Sequence, residues 1–150
     1  GSGGPEWALL AGLLPRGERE EVGRFVREED RRRALASRLL QRACACRCTG
    51  LAWAEVELRR TKGRKPFLAS AHPRRAALPN FNFNVSHEGD YVVLASEPVC
   101  LVGVDVAAPE QVRRRGRPMG DAELVQTFSR QLSARERRGI LARGDGDAQG

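Results

Sequence analysis

His87 closes the strictly alternating run Asn80-Phe-Asn-Phe-Asn-Val-Ser-His87, and eighteen residues later Asp105 closes the apolar run Leu101-Val-Gly-Val104. In the first run Phe81, Phe83 and Val85 fall on one side of an extended strand, and Asn82, Asn84 and Ser86 on the other. The apolar side can enter a core. The polar side then holds two amides and a hydroxyl in fixed positions and delivers His87 at the strand end. Asp105 repeats the arrangement, as a carboxylate placed where a buried strand emerges. Such a set on neighbouring strands suits an anionic ligand held together with a metal ion.

A second group could grip phosphate. Arg59, Arg60, Lys62, Arg64 and Lys65 surround Gly63, placing several cations beside a flexible backbone. Charge-assisted hydrogen bonds with the forked geometry of arginine are available there, although a solvated basic turn is the other reading. His87 alone could be a strand-end histidine satisfied by backbone, and Asp105 could simply end a strand. The ring of His87 can donate to a phosphate oxygen whether neutral or charged. His72, beside Pro73, is given no role. Cys44, Cys46 and Cys48 form C-x-C-x-C with the distant Cys100. Structural zinc sites pair C-x₂₋₄-C with a second such pair, so these read as reduced thiols near a helix end.

The elements that must position these groups follow from periodicity and turn residues. Trp7 to Leu14 is apolar and ends at Pro15-Arg-Gly17, a turn signal. Glu18 to Phe25 predicts a short helix. Asp30 is placed to cap the next one, whose apolar positions Ala34, Leu35, Leu39, Ala43 and Cys46 oppose Arg31, Arg38 and Arg42. Residues 53–59 alternate as a half-buried strand does, a basic turn at 59–65 leads to a short strand at Phe67-Leu68, and 70–79 is loop. Strands are expected at 81–86, 91–95 and 100–106, followed by an exposed loop from 106 to 120. A helix follows over 121–132. Ser133 and Glu136 make a capping box for a last helix through Leu141. The pattern is α+β, and the tail 143–150 reads as disordered.

Pro79-Asn-Phe-Asn-Phe-Asn-Val-Ser-His87-Glu-Gly-Asp-Tyr91 followed by Val102-Gly-Val-Asp105 resembles the 4′-phosphopantetheinyl transferases, above all their animal cytosolic branch. Val22-Gly-Arg-Phe25, the arginine-rich segment 30–42 and Arg60-Thr-Lys-Gly-Arg-Lys-Pro66 resemble further parts of that family. The resemblance implies a fold of two similar α+β halves, with coenzyme A at their interface. This chain would hold a nearly complete first half at 5–98 and an incomplete start of the second at 99–142. Arg60, Thr61, Lys62, Gly63, Arg64 and Lys65 would hold the 3′-phosphate and adenine end of coenzyme A. Asn84, Val85, Ser86 and His87 would line its pyrophosphate and pantetheine arm. Asp105 would be a magnesium ligand, with His87 and Asp105 as the catalytic pair.

The implied reaction moves 4′-phosphopantetheine from coenzyme A to a serine of an acyl or peptidyl carrier protein of the fatty acid synthase type. Three departures from the family pattern stand out. Ala107 replaces a second acid found in many relatives. Glu21 stands where the animal enzyme has an arginine that meets coenzyme A. No Trp-x-x-Lys-Glu, whose glutamate would be metal ligand and general base, occurs in these 150 residues. The chain therefore reads as truncated at both ends and inactive alone, and it opens without Met.

Bulk composition narrows the field. At 150 residues with 41% hydrophobic and 30% charged residues, the chain can bury a core of its own. A net charge of +7 favours polyanionic partners without choosing among them. No apolar run approaches the roughly 20 residues a membrane span needs, and no signal-peptide pattern opens the chain. A cytosolic, monomeric protein is expected. Two other readings are a non-catalytic fragment that binds coenzyme A or a carrier protein, and a basic nucleic-acid-binding domain. The last would interleave basic residues with exposed aromatics, whereas Phe81 and Phe83 alternate with asparagines as core residues do.

Overall fold

Helices precede and follow short antiparallel hairpins along the chain in a computed structural model that describes residues 4–107, 113–114, 117–118 and 120–144. The chain is α+β, as its periodicities imply, and divides into two compact units at Val106/Ala107.

The first unit opens with α1 (Pro5–Gly12) and α2 (Arg16–Gly23), each entered at a proline where a missing N–H costs nothing. Helix α3 (Glu28–Thr49) begins two residues before the expected cap. Its N-cap is Arg27, and Asp30 sits in the first turn with Glu28 and Glu29, where the helix dipole favours acids. Asp30 instead accepts a 2.7 Å hydrogen bond from Arg33. At the other end Gly50, at φ 80°, sends its N–H to the carbonyl of Cys46 at 2.9 Å, a left-handed stop that only glycine adopts easily. Ala11, Leu14, Val22 and Leu35 form a buried cluster that ties the three helices together. Trp7, Leu10 and Leu39 pack on it.

Arg42 departs from expectation. It was placed on the polar face of α3, yet it is 2% exposed. Its guanidinium meets Glu18 of α2 at 2.8 Å and the carbonyl of Trp53 at 3.1 Å, and lies 5.9 Å from the centre of the Trp53 ring. Its charge is tolerated inside because all of these groups converge on it.

The expected strand over 53–59 is shorter than its alternation suggests. Trp53–Glu55 forms a 3₁₀ turn, closed by the Glu55 carboxylate accepting the N–H of Ala52 at 2.7 Å. Only β1 (Leu58–Arg60) is strand, paired antiparallel with β2 (Pro66–Leu68). The longer hairpin pairs β3 (Asn82–Glu88) with β4 (Tyr91–Glu97) through a tight turn, where Gly89 takes φ 54°. Phe83 of β3 is 1% exposed, and α3 packs across both strands.

Residues 101–107 carry no strand assignment, although a strand was expected over 100–106. They run beside β3 by a different device. The N–H groups of Val102, Val104 and Val106 donate to Asn82 Oδ1, Asn84 Oδ1 and Ser86 Oγ at 3.0, 2.8 and 3.2 Å. Alternate residues of one segment therefore bond to alternate side chains of the other, where a sheet would use backbone.

In the second unit β5 (Arg113–Arg114) pairs with β6 (Arg117–Pro118), inside a stretch expected to be loop. Helix α4 (Asp121–Thr127) stops short of Leu132, the residues between being turns. Helix α5 (Ala134–Gly144) has the expected capping box. Ser133 N–H meets the Glu136 carboxylate at 2.8 Å, and Glu136 N–H returns to Ser133 Oγ at 3.3 Å. Of the tail expected at 143–150, residues 143 and 144 are helical and 145–150 lie outside the described residues.

Candidate functional site

Helices α2 and α3 and the β1–β2 hairpin leave a cavity of about 420 Å³, with His87 at its edge. Its wall carries Arg24, Arg33, Arg38, Arg60 and Arg64, against only Glu21 and Asp30 of opposite sign. Asp30 is engaged with Arg33, which also donates to the carbonyl of Gly89 at 2.8 Å and so pins α3 to the β3–β4 turn. Glu21 forms an ion pair with Arg38. Arg60 donates to the carbonyl of Arg64 at 3.0 Å.

The hairpin that presents these arginines is tight. Thr61 N–H meets the carbonyl of Lys65 at 2.9 Å, Arg64 N–H meets the carbonyl of Thr61 at 2.9 Å, and Lys65 N–H reaches Thr61 Oγ1 at 3.2 Å. Arg64 takes φ 64°, an uncommon value for a side-chain-bearing residue. That turn aims Arg64 and Arg60 at the cavity, while Lys62 and Gly63 lie exposed at its tip. Burial lowers the pKa of Arg60 from its ordinary value, the like charge of Arg38 lowers it further, and Glu21 opposes both. Crowded, partly desolvated cations of this kind are relieved by an incoming anion.

Of the expected binding residues, Arg60, Arg64 and His87 meet in the cavity. The others lie elsewhere. Asn84 and Ser86 face the opposite side of β3 from His87 and hold residues 102–106. The Ser86 hydroxyl donates to Asp105 Oδ1 at 2.6 Å, and Val106 N–H reaches the same oxygen at 3.0 Å. Asp105 is therefore fixed through one carboxylate oxygen. A fixed carboxylate fits Mg²⁺, which takes one or two carboxylates and completes its shell with phosphate and water. Among the described residues no group of three or more His, Cys, Asp or Glu converges to hold a metal. Arg24, Arg33 and Arg38 were missed as wall residues. For Arg33 and Arg38 the signal was the arginine-rich α3, but periodicity could not say which of its arginines would turn inward; Arg24, the C-cap of α2, gave no signal.

The family model described as "4′-phosphopantetheinyl transferase, N-terminal" matches residues 3–99. The chain belongs to the 4′-phosphopantetheinyl transferase family. It is 43% identical over 103 residues to the L-aminoadipate-semialdehyde dehydrogenase-phosphopantetheinyl transferase of Mus musculus, covering 67% of this chain and 32% of that protein. It is 41% identical over 122 residues to a phosphopantetheinyl transferase of Thraustochytrium, covering 81% and 38%. A 4′-phosphopantetheinyl transferase of Bacillus subtilis is 32% identical over 107 residues, covering 70% and 43%. The chain thus spans about a third of the length of the animal transferases it matches. The matched family segment contains the whole arginine cavity and all of β3 and β4.

Proposed function

We propose that this chain supplies the coenzyme A-gripping part of a 4′-phosphopantetheinyl transferase. The observation that carries the reading is the arginine cavity, built from residues inside the matched family segment. Arg60, Arg64, Arg38 and Arg24 would take the 3′-phosphorylated end of coenzyme A, and His87, lining the same cavity, would meet the neighbouring pyrophosphate as the catalytic partner of Asp105. Thr61, Lys62, Gly63 and Lys65 shape and charge the loop beside it. The pyrophosphate, and beyond it the pantetheine arm, would then lie along β3 by Val85, while Asn84 and Ser86 act by holding the Asp105 segment in place. Asp105 would hold Mg²⁺, which would supply charge neutralisation at the pyrophosphate; a carrier serine attacks the β-phosphorus and 3′,5′-ADP leaves. Partners in this reading are coenzyme A and an acidic acyl or peptidyl carrier protein drawn by the basic surface. The resemblance to the animal cytosolic branch would make the protein a cytosolic monomer.

The test is a version of the chain extended through a Trp-x-x-Lys-Glu segment and incubated with coenzyme A, Mg²⁺ and an apo carrier protein. Magnesium-dependent labelling of the carrier serine is expected. Asp105→Asn should lower it roughly a thousandfold, because a neutral amide leaves transition-state charge uncompensated by several kcal/mol. Undiminished labelling by the Asn variant would remove Asp105 from the metal site.

A further inference from the structure

Helix α3 carries Cys44, Cys46 and Cys48, and the proposed transfer uses none of them. Cys44 and Cys48 stand one turn apart on one helix face, with their Sγ atoms 4.0 Å from each other. Cys48 Sγ also lies 3.9 Å from Ser96 Oγ on β4, so the pair faces the long hairpin and not the arginine cavity. Both thiols are half-buried, within reach of a small solute yet partly shielded from water. Cys46, midway between them, projects from another face.

We propose that Cys44 and Cys48 form a two-thiolate clamp for a soft monovalent d¹⁰ cation of the copper(I) class. Two metal–sulfur bonds of about 2.3 Å span at most about 4.6 Å. The 4.0 Å gap lies just inside that span, so side-chain rotations that widen it slightly would seat one ion near the linear arrangement two-coordinate copper(I) favours, without bending the helix. Ligand number decides which ion fits. Among the described residues no third His, Cys, Asp or Glu joins the pair. Zinc takes four ligands and would be left half unsatisfied by protein, whereas copper(I) prefers soft thiolates and is content with two. As each metal–sulfur bond forms, its thiol releases a proton to solvent, and no electron changes hands. Bound metal would staple the last turns of α3.

The experiment is an anaerobic titration of the reduced 150-residue chain against copper(I) buffered by a chromophoric chelator. One ion per chain should be drawn from the chelator. Cys44→Ser and Cys48→Ser should each weaken uptake at least tenfold, while Cys46→Ser and Cys100→Ser should leave it unchanged. Alkylation of the wild-type chain gives a second readout independent of variant folding. Copper(I) should protect Cys44 and Cys48 from iodoacetamide and leave Cys46 and Cys100 open. No uptake, equal loss in Cys46→Ser or Cys100→Ser, or protection of Cys46 or Cys100 in their place would overturn the clamp.

Discussion

Glu21 is the one acid in the cavity wall paired with Arg38, and its charge also reaches Arg60. An incoming phosphate must compete with it. Glu21→Gln should therefore tighten coenzyme A binding, by about 1 kcal/mol or roughly fivefold for a partly exposed pair. Calorimetry on the 150-residue chain reads this directly, and unchanged or weaker binding would show that Glu21 does not oppose the ligand. The acid at position 21 and the basic loop at 60–65 were both legible as residues. Their meeting was not, because it depends on how α2 and α3 pack. The same packing draws Arg42 into the interior against Glu18 and Trp53, where a helical wheel had set it beside solvent.

At the scale of elements, β3 behaves as an anchor for the segment that carries Asp105. Strict alternation over 80–87 correctly gave a strand with Phe83 inward. It could not reveal that Asn82, Asn84 and Ser86 would bond to residues 102–106, since polar side chains on a strand look alike whether they await ligand or neighbour. The alternation of 53–59 misled because local carboxylate and hydroxyl bonds favour a turn. Glu55 closes on Ala52, and Ser70 Oγ bridges Glu57 N–H and the carbonyl of Glu55. Asn84→Ala strands the Val104 N–H and should destabilise the chain by about 1–2 kcal/mol in urea denaturation. A change within error would mean water replaces the amide at no cost.

Glu97 anchors the start of the same segment by accepting N–H groups from Val99 and Cys100, both at 2.8 Å, and these bonds lower its pKa from 4.5. A carboxyl depressed in the folded state stabilises above its unfolded value, and that contribution is lost as pH falls through the folded value. The stability difference between wild type and Glu97→Gln should thus be present at neutral pH and be lost only in acid below the ordinary glutamate range. A difference that persisted unchanged into strong acid would assign it to packing.

For the whole molecule, the family was legible from a few motifs because the asparagine-rich strand and the Gly-Val-Asp segment occur together. The division at Val106/Ala107 was not, as it reflects which contacts the folded chain makes. These 150 residues contain no Trp-x-x-Lys-Glu, so by themselves they should not label an apo carrier protein with Mg²⁺ and coenzyme A above background. Magnesium-dependent labelling by this chain alone would show that Asp105 and His87 suffice, or that another carboxylate such as Glu136 takes the missing role.

The central claim is that the arginine cavity grips the 3′-phosphate of coenzyme A. Its most direct test compares coenzyme A with dephospho-coenzyme A on wild type and on Arg60→Ala, by calorimetry at low and moderate salt. Wild type should prefer coenzyme A, the preference should shrink with salt, and Arg60→Ala should lose roughly 1 kcal/mol of it. Equal affinity of the two ligands for wild type, at either salt, would contradict the assignment.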